Sequence, residues 1–134
     1  MKLITRDTDY ALRAVCSIAK KKDSIVSVSS LVKELRVPQP FLRKTLQLLN
    51  REGILRSHKG KGGGFLLNRP KEKIFLLDLI KIFQGPFSLN QCYLKKLICP
   101  NIKVCPLRKR LERIEGFVLR ELRKVRISDL IKKG

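Results

Sequence analysis

Apolar positions recur three and four residues apart in separate stretches of this chain, and only around residues 54–68 do they shorten to strand-like runs. The first helical stretch carries Tyr10, Leu12, Ala14, Val15, Ile18 and Ala19 and closes on Lys20-Lys21-Lys22. Thr8 is its expected N-cap, with Asp9 in the first turn, where a carboxylate meets the positive end of the helix dipole. A second, short helix is expected from Ser29 or Ser30 through Leu31, Val32 and Leu35, broken by Arg36-Val37-Pro38. Pro40 suits the start of a third, which runs to about Glu52 and stops at Gly53. Leu42, Leu46 and Leu49 share its inner face with Thr45 beside them; Gln39, Arg43, Lys44, Gln47, Asn50 and Arg51 share the outer one. Two helices joined by a short turn, the second polar and basic outside, make a helix-turn-helix.

Ile54 to His58 reads as a strand and Phe65 to Asn68 as its returning partner, around Lys59-Gly60-Lys61-Gly62-Gly63-Gly64. The glycines permit the positive φ angles of a hairpin tip. A phosphate loop would need GK followed by Ser or Thr and a helix, and neither follows, so the hairpin is expected to be the wing of a winged helix. His58, the only histidine, is expected to be an exposed strand residue. Another amphipathic helix is expected from Phe75 to Gln84, closed by Gly85-Pro86. Pro106 opens a long one whose stripe is Leu107, Leu111, Ile114, Val118 and Leu122 on a charged rod. So narrow a stripe is most economically covered by the same helix of a second chain. Ser128 is expected to cap a last turn, Asp129 to Lys132.

Charge sharpens this picture. Thirty-one Lys and Arg against eleven acids leave a formal +20 in 134 residues. Such a balance calls for an anionic partner, most simply nucleic acid, although a lysine-rich surface alone would produce the same count. The basic residues are spread along the chain, which does not fit a membrane-surface helix. The first apolar stretch is interrupted by Arg6, Asp7, Asp9 and Arg13, so no signal peptide is expected and the location expected is cytoplasmic. No acid–base pair or nucleophile constellation points to an enzyme.

In a reducing compartment, cysteines point to metal or redox chemistry rather than disulfides. Cys92, Cys99 and Cys105 fall in one window, C-x6-C-x5-C, while Cys16 lies alone on an apolar helix and reads as a small core residue. Cys105 precedes Pro106, where the dipole of the long helix favours a thiolate, and Lys95, Lys96, Lys103 and Arg108 add positive potential. Three thiolates fall one short of the four an iron–sulfur cluster usually takes. Zinc held by three thiolates and an Asp or His, and a thiol–disulfide switch, stay open on these residues.

The stretches TDYALRAV, VPQPFLRKTLQLLNREGILRSHKGKGGGFLL and FLLDLIKIFQG, followed by the three cysteines, resemble the Rrf-two family of winged-helix regulators, the group of the IscR and NsrR repressors. The fold class expected is mainly α with a small β-wing, a winged helix-turn-helix with a long C-terminal dimerisation helix. The division expected is a head over 1–84, a cluster-binding loop over 85–106, and a dimerisation helix with its C-terminal turn over 107–134. The resemblance implies a homodimer on a palindromic double-stranded DNA operator, with a two-iron or four-iron cluster on Cys92, Cys99 and Cys105. It places Gln39, Pro40, Arg43, Lys44 and Gln47 toward the major groove, and Lys59 and Lys61 in or over the minor groove. IscR-type members complete the cluster with a histidine where this chain has Arg108; NsrR-type members use an aspartate of the other subunit, matched here by Asp9. The function expected is repression of transcription in response to redox, nitric oxide or cluster status, with no small-molecule substrate. The alternatives are a cluster-free regulator using a thiol switch or protein partner, and a basic RNA-binding protein.

Overall fold

The apolar spacing of the first stretch produces α1 (Arg6–Lys20), and the remaining elements pack around it. Ala11, Ala14 and Val15 are fully buried, their small side chains allowing several neighbours to approach one helix. The computed structural model describes residues 3–21, 24–86 and 106–131. After α1 come α2 (Val28–Leu35), α3 (Gln39–Arg51), β1 (Leu55–His58), β2 (Gly64–Leu67), a 3-10 turn at Lys71–Lys73, α4 (Leu76–Gln84), α5 (Pro106–Arg123) and the single turn α6 (Ile127–Leu130). This is a mainly helical winged helix with one two-stranded antiparallel sheet among the described residues.

The start of α1 differs from expectation. Its N-cap is Thr5, whose hydroxyl accepts from the Thr8 N–H at 3.4 Å, and Thr8 is buried one turn inside the helix. The reason lies 76 residues away: the Gln84 carboxamide oxygen accepts from the Thr8 hydroxyl at 2.7 Å and from the Thr5 N–H at 2.9 Å. A buried threonine with that partner is a satisfied core group, which no local pattern announces. Similarly, α2 is capped by Ser27, which accepts from the Ser30 N–H at 3.2 Å, rather than by Ser29 or Ser30. At the other end of the chain, α6 begins before Ser128; the Asp129 carboxylate accepts from the Arg126 N–H at 3.0 Å and closes the turn.

The main core gathers Val15 and Ile18 of α1, Leu31 of α2, Leu42, Leu46 and Leu49 of α3, and Ile54, Leu55, Ile74 and Leu79. Tyr10 meets Phe41 edge to face, ring centroids 5.4 Å apart, which fixes α3 against α1. The last turn returns to this core. Ile127 is fully buried in it, and its N–H donates to the Ile74 carbonyl at 2.9 Å while the Leu76 N–H donates to that of Val125 at 3.0 Å.

A second cluster of Leu76, Leu77 and Ile80 on α4 receives Leu119 and Leu122 of α5 together with Val125. The far side of α5 is uncovered: Leu107, Ile114 and Phe117 are 66%, 52% and 57% exposed, and no residue of α5 is buried.

Candidate nucleic-acid interface

Local chemistry explains why the helix-turn-helix takes its shape. Arg36 caps α2 in the left-handed region at φ 55°, its N–H donating to the Val32 carbonyl at 2.9 Å, and Val37 turns inward to near-complete burial. Pro38 and Pro40 flank the start of α3, where missing N–H groups cost nothing because no carbonyl lies upstream to receive them. The inner row Leu42, Thr45, Leu46 and Leu49 then locks the helix, with the Thr45 hydroxyl donating to the Phe41 carbonyl at 3.0 Å. Gln39, Arg43 and Gln47 are left facing solvent.

The wing is set against α3 by two devices. The Asn50 carboxamide oxygen accepts from the Ser57 N–H at 3.2 Å, tying the end of α3 to β1. On its other edge β2 pairs with Val26, whose N–H donates to the Phe65 carbonyl at 2.8 Å and whose carbonyl accepts from the Phe65 N–H at 2.9 Å. Gly64 makes that approach possible, because a Cβ there would overlap the Val26 carbonyl. The register pairs Leu55 with Leu67, Arg56 with Leu66, Ser57 with Phe65 and His58 with Gly64. The tip turns on Gly60 and Gly62, both at positive φ.

Between α3, the first turn of α2 and the hairpin lies an open groove of about 670 Å³. Gln39, Arg43 and Gln47 line one wall; Ser57, His58 and Lys59 line another, with Ser29 at the α2 end. Among the described residues no acidic side chain lines it, and Arg43 and Lys59 make its wall basic. Of the residues expected to meet DNA, the structure thus brings Gln39, Arg43, Gln47 and Lys59 together. Pro40 and Lys44 are exposed on α3 outside that lining, and Lys61 is exposed at the hairpin tip. Ser29, Asn50, Ser57 and His58 also belong to the groove. Strand alternation could have signalled Ser57, two residues from buried Leu55; nothing in the sequence signalled Ser29.

The expected cluster ligands Cys92, Cys99 and Cys105 lie outside the described residues. Asp9 sits in the first turn of α1, its carboxylate 41% exposed and 3.1 Å from the Arg13 guanidinium. Cys16 is half-buried against the main core, and burial pushes its thiol up from the ordinary value, with Lys20 pulling weakly the other way. Such a thiol is a packing residue rather than a reactive one. Among the described residues, no three His, Cys, Asp or Glu side chains gather as a metal site, and no helix is long and apolar enough to cross a membrane.

Fold and groove together define a winged helix-turn-helix with a basic groove, the architecture of a DNA-binding class. The Rrf2 family, described as iron-dependent transcriptional regulators, matches residues 4–133, and the chain belongs to that family. Protein aau3 of Rhizobium meliloti is 28% identical over 130 residues, covering 96% of this chain and 84% of the relative. The structure of CymR, the global cysteine regulator of B. subtilis, superposes with a TM-score of 0.82 at 23% identity, covering 98% of this chain and 97% of CymR. That of T. potens IscR superposes with a TM-score of 0.68 at 20% identity, covering 98% and 86% respectively. At these identities the two structures speak for the fold.

Proposed function

We propose that this protein is a homodimeric repressor that binds a palindromic double-stranded DNA operator and reads iron–sulfur, redox or nitric oxide status through three cysteines. The observation that carries the DNA reading is the basic groove in which Gln39, Arg43, Gln47 and Lys59 converge. A helix carrying amide and guanidinium groups beside a basic hairpin suits a major groove and the phosphates next to it. The exposed row Leu107, Ile114 and Phe117 favours dimerisation through α5, because an apolar stripe on a charged rod is best covered by its own copy. Two heads so joined address half-sites about one DNA turn, roughly 34 Å, apart. In this reading residues 1–84 are the head, 85–106 the cluster-binding stretch and 107–134 the dimerising part, and the protein works in the cytoplasm with no small-molecule substrate.

Cys92, Cys99 and Cys105 would hold the cluster, with Asp9 of the partner subunit supplying the fourth contact. The donor set fits: three thiolates suit iron, and Asp9 presents a half-exposed carboxylate steadied by Arg13 instead of one consumed in the core. When bound, such a cluster would supply redox-active iron, and an oxygen ligand such as Asp9 would hold it more weakly than a fourth thiolate, leaving it open to nitric oxide or oxygen.

The test is anaerobic purification, followed by visible and Mössbauer spectroscopy and by binding to duplexes selected from a random pool. A coloured iron- and sulfide-containing protein is expected, with its absorption weakened or shifted in Asp9→Ala. A colourless protein with stoichiometric zinc would remove the cluster. Equal affinity of cluster-loaded and cluster-free protein for every selected duplex would remove sensing while leaving DNA binding standing. Preference for structured RNA over any duplex would remove the operator.

A further inference from the structure

Gln39, Arg43 and Gln47 stand four residues apart on one exposed face of α3, and all three line the groove. Each step of four advances a helix by about 6 Å and turns it by only about 40°, so the three side chains form a single file along the wall. Among the described residues no hydrogen bond or ion pair engages any of their side chains. Asn50, further along the same wall, is different: its carboxamide oxygen is committed to the Ser57 N–H and holds the wing. Lys44 lies off the file, outside the groove lining. The groove therefore offers a guanidinium between two uncommitted carboxamides, with Lys59 across from them.

Each of these groups has a preferred base edge. A guanidinium matches the O6 and N7 acceptors of guanine, and a carboxamide matches the N6 donor and N7 acceptor of adenine. Recognition helices whose reading residues are spaced three to four apart address successive base pairs. We infer that the half-site read by this protein contains a G·C pair flanked on both sides by A·T pairs, with Arg43 reading the centre and Gln39 and Gln47 the flanks. The inference rests on the DNA-binding reading above and deepens it. Lys44 and the wing lysines contact phosphates and carry none of this sequence information.

The experiment is selection from a random double-stranded pool, followed by fluorescence anisotropy on the enriched duplexes and their single-pair variants. The enriched half-sites are expected to contain the triplet. Replacing its central G·C by A·T is expected to weaken wild-type binding by about ten- to a hundredfold. The Arg43→Gln variant should reverse that preference in favour of A·T at the centre. Gln39→Ala and Gln47→Ala should each flatten preference at one flank, and at opposite flanks. All three side chains are exposed, so these variants retain the fold. Enriched half-sites lacking the triplet would overturn the inference with DNA binding intact. So would an Arg43→Gln variant that lost affinity equally for every duplex, the signature of a phosphate contact. A pool showing no enrichment would overturn both this inference and the DNA-binding reading beneath it.

Discussion

Gln84 closes α4, and its carboxamide holds three groups of the segment that begins α1. The oxygen accepts from the Thr5 N–H at 2.9 Å and the Thr8 hydroxyl at 2.7 Å, and the amide nitrogen donates to the Leu3 carbonyl at 3.3 Å. Replacing it by leucine keeps the volume and removes all three bonds. Thr8 is fully buried, but its hydroxyl retains the Thr5 oxygen at 3.1 Å, so its loss is partial. The Thr5 N–H loses its partner altogether, and the Leu3 contact is long and exposed, worth little. At about 1 kcal/mol for each of the two stronger bonds, Gln84→Leu should cost about 2 kcal/mol. With a urea slope of about 2 kcal/mol per molar, the unfolding midpoint should fall by about 1 M. Hydrogen exchange should place the loss at Thr5 to Asp9. Gln84→Glu separates the parts: a carboxylate still accepts from Thr5 and Thr8, but sets a second oxygen against the Leu3 carbonyl. Its midpoint should approach that of wild type as the acid protonates and fall away as pH rises. A Gln84→Leu midpoint within about 0.2 M of wild type would refute the reasoning, because it would mean the first turn of α1 holds without α4.

Further consequences follow from other contacts. Gly64→Ala should push β2 off Val26 and lose both bonds of that bridge, costing about 3 kcal/mol and lowering Tm by about 10 °C; an unchanged Tm in calorimetry would contradict the steric argument. Lys61→Ala at the exposed hairpin tip should weaken binding to all duplexes alike and reduce the slope of log K against log salt by about 1, as titration across salt concentrations would show. The Ser17 hydroxyl donates to the Glu34 carboxylate and, ahead of Lys21, holds that carboxyl below its ordinary value. A depressed folded value stabilises the protein above the unfolded pKa, about 4.3, and the benefit is lost as pH falls through the folded one. Ser17→Ala should therefore cost under about 1 kcal/mol at pH 7, since the carboxylate is 44% exposed. Urea midpoints of variant and wild type should converge below about pH 4.

Much of the interface was legible because it depends on patterns a few residues long. Leu42, Leu46 and Leu49 define the inner face of α3, so Gln39, Arg43 and Gln47 had to point outward. Gly60 and Gly62, at positive φ, mark the tip of a hairpin that can carry Lys59 and Lys61. Ser29 was not legible as a groove residue, because what brings it there is the packing of α2 against α3. The role of Asn50 was hidden for a related reason. On a helical wheel it is one more polar outer residue, and only the position of β1 gives its carboxamide the Ser57 N–H to hold.

The sequence by itself determined the elements, their inward faces and the sign of the surface charge, since each follows from spacing and composition along the chain. It also placed three cysteines, Cys92, Cys99 and Cys105, in one window. Contacts between distant segments were decided only by tertiary structure. Gln84 reaching back to Thr5 and Thr8 moved the cap of α1 by three residues. Val26 joining the edge of β2 at Phe65 explains why the preceding residue must be Gly64, where a Cβ would meet the Val26 carbonyl. Ile127 returning to the main core anchors the turn that follows α5 against the head. In each case the deciding group is a hydrogen-bond partner or a packing surface many residues away, and a local pattern carries no record of which distant surface the folded chain will bring against it.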